Sequence, residues 1–264
     1  MLKQRVITAL ILGAVVLLGI FLLPHQAIAA VIAVLILAGA WEWSAFIGLV
    51  DRSKRLVFLL LLAAGIGVIW WVGADSQRFD NIPVGAGAWW LLALLWVAFM
   101  PTVVNSGSSA LAGIMVLLPA WLALVRLHAM SPQLLLFVLL LVVSADVGAY
   151  FAGRQFGKHK LAPRVSPGKT WEGVCGGLAG AMVLAGIGVF WFQVSAAPFI
   201  ALCSIVFAAS VVGDLTESMF KRHAGLKDSG SLLPGHGGVL DRLDSITAAA
   251  PVFLLGLDRL GLWR

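Results

Sequence analysis

The sequence predicts an all-α polytopic integral membrane protein with about nine transmembrane helices and a cytoplasmic N-terminus. Three observations lead there. Hydrophobic residues make up 61% of the 264 residues, charged residues only 11%, and mean hydropathy is +1.02, far from the balance of a water-soluble domain. The apolar residues fall in continuous runs, most of them near the ~20 residues that a helix needs to cross a hydrocarbon core of about 30 Å. Those runs lack the two-residue alternation of a lipid-facing barrel strand, which leaves the helix as the spanning element.

Taken in order, the first run covers residues 6–23, behind Lys3 and Arg5 and ahead of an Ala-Ile-Ala-Ala stretch at Ala27 to Ala30. The pattern has some character of a cleavable signal, but the run is longer than a usual signal core, so an uncleaved span is preferred. The next runs cover 27–47, 56–73, 89–100, 110–128 and 133–153, followed by 174–193, 198–214 and 245–262. The fourth is too short to cross without its flanks. Gly and Pro inside these runs are no objection, because membrane helices use small residues for close packing.

Threading nine spans from a cytoplasmic N-terminus leaves only Arg78, Arg126, Arg259 and Arg264 outside, of the 18 Lys and Arg. This agrees with the positive-inside rule and puts both long polar loops in the cytoplasm. The net charge of +6 then needs no nucleic acid, since the basic residues lie where an anionic leaflet attracts them. Cys175 and Cys203 sit in apolar runs and read as packing residues, with neither a disulfide nor a metal thiolate site. The whole of 1–264 reads as one membrane-embedded domain, with the active-site region in 140–245.

Two stretches depart from the apolar alphabet. The first, RQFGKHKLAPRVSPGKTWEG from Arg154 to Gly173, follows a run ending SADVGAYFAG. Asp146 in that run is an acid at membrane depth, which needs a partner, water or a cation. It is either part of a site or a structural pair with a residue such as Arg154. Ser166, Lys169 and Thr170 supply two hydroxyls and an ammonium within five residues, and Gly168 permits close backbone approach, a combination suited to phosphate. The Gly-Lys-Thr here lacks the first glycine and the strand of a P-loop. The plainer reading is a basic loop that meets lipid headgroups unspecifically.

The second stretch, GDLTESMFKRHAGLKDSGSLLPGHGGVLDRLDS from Gly213 to Ser245, sets Asp214, Glu217 and Ser218 on one helical face at i, i+3 and i+4. Asp241 and Asp244 repeat the i, i+3 spacing where the last run begins. Carboxylates without a Cys and His tetrad favour magnesium over zinc, and magnesium usually completes its shell with water and substrate phosphates. His236, alone between glycines, reads as a hydrogen-bonding loop residue. Lys221, Arg222, Lys227 and the glycines of a Pro-Gly-His-Gly-Gly turn add cations and backbone amides that suit phosphate oxygens.

SMFKRHAGLKDSGSLLPGHGGVLDRLD, from Ser218 to Asp244, resembles the signature of the phosphatidate cytidylyltransferases, also called CDP-diacylglycerol synthases. SPGKTWEG, SADVGAYFAGR and the C-terminal place of the signature look like the same family. One departure is Gly168, where family members often carry a second Lys.

The resemblance implies transfer of a cytidylyl group from CTP to phosphatidate, releasing pyrophosphate and forming CDP-diacylglycerol for phospholipid biosynthesis. It implies Mg2+ as cofactor, with a second cation as a further option. CTP, phosphatidate and membrane lipids are the expected partners, a homodimer is one option for assembly, and nucleic acid is not expected. The place is a bacterial cytoplasmic (inner) membrane, with the active site facing the cytoplasm.

Chemistry is expected at Asp241, Asp244, Lys227 and Asp228, and metal at Asp214, Asp241 and Glu217. Substrate contacts are expected from Ser166, Lys169, Thr170, Ser218, Lys221, Arg222, His236, Gly237, Gly238 and Arg242, with Asp146, Arg154 and Glu172 in support. Two other classes compete: a CTP-dependent lipid kinase, which would release CDP, and a transporter whose acids line an ion path. Trp70, Trp71, Trp89, Trp90 and Trp263 read as interfacial anchors and Trp171 as either anchor or base contact. Glu42, between Trp41 and Trp43, reads as a near-interface residue and not as a ligand.

Overall fold

A computed structural model describes residues 13–73, 81–230, 232 and 237–263. Its helices are α1 (Gly13–Leu22, the described part of the first predicted span), α2 (His25–Phe46), α3 (Arg52–Val72), α4 (Asn81–Phe99), α5 (Ser106–Met130), α6 (Pro132–Phe156), α7 (Trp171–Phe192), α8 (Ala196–His223) and α9 (Asp244–Arg259). Among the described residues, α2 to α8 are seven helices long and apolar enough to cross a membrane, so the chain is an all-α polytopic membrane protein. At 16 residues, α9 rises about 24 Å, less than the hydrocarbon thickness. The remainder of the first predicted span lies outside the described residues.

Local chemistry fixes several helix ends. Asn105 and Ser108 close a reciprocal capping box at the start of α5, Ser131 caps α6 ahead of Pro132, and Thr170 caps α7. Each side chain satisfies an amide that the helix leaves unpaired.

The structure corrects the sequence reading in four places. The fourth span is 19 residues long, because Asn81 to Ala88 are helical although Asn81, Pro83 and the two glycines among them lower the hydropathy of that stretch. That lengthening puts Trp89 and Trp90 in mid-helix. Trp90 is buried to 4% exposure, so it is core and not an interfacial anchor. The eighth span does not stop at Asp214 but runs on to His223, and every residue from Leu215 to Lys221 is buried. The loop between the sixth and seventh spans contains an antiparallel ribbon, β1 (Lys160–Ala162) and β2 (Ser166–Thr170), in which Lys160 faces Thr170 and Ala162 faces Ser166.

The buried apolar residues form one contiguous core. Its centre is α5, α8 and α9, flanked by α2 and α4. Trp43 of α2 donates its indole N–H to the Ser109 carbonyl at 2.8 Å and leans on Phe220 of α8, with ring centres 5.2 Å apart. Helices α6 and α7 pack backbone to backbone: a Cβ on Gly148 would lie 2.3 Å from the Gly176 carbonyl oxygen, and one on Gly180 2.4 Å from that of Ser144. Only glycine permits that approach. It aligns the ends of α6 and α7 so that the ribbon connecting them folds back over α8.

Candidate active site

A cavity of about 520 Å³ opens between α6, the ribbon, α7, α8 and the start of α9. Asp146 and Arg154 (α6), Gly168, Lys169 and Thr170 (β2), Ser210 and Asp214 (α8) and Ser245 (α9) line it. Most of its polar lining comes from the two stretches that depart from the apolar alphabet, joined through space by the ribbon, and Asp146, Tyr150 and Ser210 add to it from α6 and α8.

Lys169 Nζ pairs with Asp214 Oδ2 at 2.5 Å, and both side chains keep 27% exposure. The Ser218 hydroxyl, one turn further along α8, donates to the other Asp214 oxygen at 3.3 Å. Asp146 lies within electrostatic reach of Asp214 and Lys169, and Asp244 within reach of Asp214, Lys221 and Lys169. Asp146 and Asp214 thus share the cavity wall with Lys169 and Arg154. The Arg154 guanidinium donates to the Tyr150 hydroxyl at 3.1 Å.

Deeper on α8, Lys221 is buried to 8% exposure. Its ammonium lies 3.1 Å from Glu217 Oε1 and 2.8 Å from Asp241 Oδ1. The first contact is an ion pair between two buried side chains one helical turn apart. Glu217 and Trp90 line a separate small void, so Glu217 is not brought to the cavity with Asp214.

The Asp241 carboxylate accepts from Lys221, from the Ser229 amide at 3.0 Å and from the Gly238 amide at 2.9 Å. Burial raises this carboxyl, but the Lys221 hydrogen bond and charge and the two amides outweigh it and hold the group below the usual carboxylate range. Gly237 takes a φ of +80°, and a Cβ there would come 2.9 Å from Asp241 Oδ2, which accounts for glycine at this position. Asp241 therefore holds its own loop together while Asp214 faces the cavity.

Other predicted residues divide between site and scaffold. The Thr170 hydroxyl accepts from the Gly173 amide at 3.1 Å and caps α7. Ser166 opens β2. Glu172 accepts from His159, through the backbone amide at 3.2 Å and the ring Nδ1 at 2.7 Å, and closes the base of the ribbon. Arg222 donates to the carbonyls of Val165 and Leu226 at 3.4 and 3.3 Å, tying the ribbon to the loop after α8. Lys227, Asp228 and Arg242 are exposed on the signature loop, and His236 lies outside the described residues.

Sequence reasoning missed Glu42. It is buried to 4% exposure and is bonded to three groups of the signature loop. The available signal was an acid inside an apolar run.

The donor set around the cavity is made of hard oxygens, the kind that holds magnesium. Among the described residues no three His, Cys, Asp or Glu side chains stand ready to hold a metal. Magnesium is commonly bound by one or two carboxylates with water and substrate phosphates, so the set fits an ion that arrives with a nucleotide.

Fold and cavity together place a polar pocket with both cations and carboxylates among helices of membrane-spanning length. The model of the cytidylyltransferase family matches residues 3–258, and the chain belongs to that family. It is 43% identical over 283 residues to a phosphatidate cytidylyltransferase of Pseudomonas aeruginosa, covering 96% of each chain. It is 41% identical over 282 residues to that of Haemophilus influenzae, covering 96% of this chain and 97% of the relative. The Bacillus subtilis phosphatidate cytidylyltransferase is 48% identical over 129 residues, 46% of each chain.

Proposed function

We propose that this chain transfers the cytidylyl group of CTP to phosphatidate, releasing pyrophosphate and forming CDP-diacylglycerol, at the cytoplasmic face of a bacterial inner membrane. The observation that carries the reading is the cavity in which Lys169 of the ribbon meets Asp214 of α8 beside Asp146, in a chain whose relatives bear the name of that activity.

A phosphate oxygen of phosphatidate attacks the alpha phosphorus of CTP, and the bond to pyrophosphate breaks on the opposite side. The lipid phosphate is already anionic near neutral pH, so no general base and no covalent enzyme intermediate are needed. The work of the protein is to position two polyanions and neutralise their charge. Lys169, with Arg154 also on the cavity wall, supplies a cation for phosphate oxygens, and Gly168 leaves open space beside it. Asp214, with Asp146 and Asp244 close by, would hold Mg2+. Magnesium at such a site supplies charge neutralisation and orientation for the phosphates. Lys221 and Asp241 tie the 3-10 turn Leu240–Arg242 to the end of α8.

The test is pyrophosphate release by the purified protein in detergent, with CTP, magnesium and phosphatidate each omitted in turn, alongside Asp214→Asn. Release that requires all three and is lost in folded Asp214→Asn supports the reading. CDP in place of pyrophosphate would transfer it to a lipid kinase, and ion flux in liposomes without nucleotide turnover to a transporter.

A further inference from the structure

We infer that Glu42, on the second helix and remote in sequence from the signature, is a positioning residue that holds the signature loop in its working shape. The inference rests on the cytidylyltransferase reading for its kinetic consequence and on geometry alone for its structural one.

Three donors converge on the Glu42 carboxylate: the Ser229 hydroxyl at 2.9 Å, the Val239 amide at 3.0 Å and the Leu240 amide at 2.8 Å. All three are uncharged, and two are backbone amides at the entrance to the 3-10 turn Leu240–Arg242. A carboxylate placed at such an entrance answers amides that the turn itself cannot pair. Glycine is required around it. A Cβ on Gly230 would fall 2.5 Å from Glu42 Oε1, and one on Gly238 2.5 Å from Oε2 and 2.1 Å from the Ser229 hydroxyl.

Ser229 carries the effect onward. Its hydroxyl donates to Glu42 and accepts from the Asp241 amide at 3.3 Å, while its own amide donates to the Asp241 carboxylate. Asp241 in turn pairs with Lys221. A chain of contacts thus runs from α2 through Ser229 and Asp241 to the end of α8, and Asp244 follows directly as the first residue of α9. A buried carboxylate is costly to keep in an apolar helix. Its partners here belong to the loop and 3-10 turn that lead directly into Asp244 at the start of α9, so the cost goes into fixing where that acid stands. Glu42 is not among the residues that line the cavity and acts through the loop.

The experiment compares wild type, Glu42→Gln and Ser229→Ala in detergent by hydrogen exchange across the loop and by the magnesium dependence of pyrophosphate release. Removing a group that orients metal-site residues typically costs 10- to 100-fold in metal affinity or activity. We expect Glu42→Gln to lose protection in residues 226–230 and 238–243 with α5 and α6 unchanged. Its half-saturating magnesium should rise by about tenfold and its KM for phosphatidate stay near that of wild type. Ser229→Ala, which removes one of the three donors and is the milder change, should move both readouts the same way and less. Unchanged exchange in the loop, unchanged magnesium dependence, or a loss of protection spread evenly over all helices would overturn the inference. If wild type itself shows no magnesium-dependent release, the functional reading falls, and the exchange data decide whether Glu42 anchors the loop.

Discussion

Lys169 and Asp214 stand 2.5 Å apart across the cavity, so a strand of the ribbon joining α6 and α7 is fastened by charge to the last third of α8. The contact brings together the two polar stretches of the sequence. It also leaves each side chain 27% exposed, able to exchange its partner for a phosphate or a cation.

Replacing Lys169 with Gln should therefore harm chemistry more than folding. Loss of one preorganised group that meets developing charge costs roughly 100-fold in turnover. Pyrophosphate release should fall by about that factor, while the thermal midpoint in detergent stays close to that of wild type.

Lys221 should behave in the opposite way. Its side chain is 10% exposed between Glu217 and Asp241, and removal of one partner of a buried ion pair typically costs about 3–5 kcal/mol, because the remaining charge is stranded. Lys221→Met is expected to lower the thermal midpoint markedly. Adding Glu217→Gln to it should restore part of the loss, a coupling that a double-mutant cycle measures directly.

The α6–α7 contact makes a steric prediction. Gly148→Ala sets a methyl 2.3 Å from the Gly176 carbonyl oxygen, where neither backbone can yield without parting the helices. Overpacking of this kind costs about 1–3 kcal/mol. Gly67→Ala, whose new methyl meets nothing within 4 Å, is the control. Thermal denaturation of the two variants should separate them clearly.

Gly168 borders the cavity, and nothing lies within 4 Å of an added Cβ. Gly168→Lys should fold normally and set a second cation beside Lys169. The KM for CTP should fall, more at low ionic strength than at high, because exposed charges are screened over about 10 Å at 0.1 M salt.

Much of this architecture can be read from the sequence, and what cannot has identifiable causes. Hydrocarbon thickness imposes a minimum apolar length, which is why the long runs announce their helices. The end of α8 hid because Asp214, Glu217 and Lys221 lower its hydropathy, although Glu217 and Lys221 are buried and answer one another. Thr170 carried a local signal in two senses: a hydroxyl beside a lysine suggests phosphate, whereas a hydroxyl just ahead of a helix suggests a cap, and its side chain does the latter. Glu42 could be noticed as an acid among apolar residues, yet its partner Ser229 is 187 positions away. No periodicity links two such residues. The role of Asp241 depends likewise on Ser229 and Gly238 amides that only the folded loop presents.

The central claim is that the alpha phosphorus of CTP moves to the lipid. The most direct measurement incubates the protein with magnesium, phosphatidate and CTP labelled at either the alpha or the gamma phosphorus, then separates lipid from water-soluble products. The account predicts alpha label in a chloroform-soluble nucleotide lipid and gamma label in pyrophosphate. Gamma label in the lipid fraction, or no lipid label from either substrate, would contradict it.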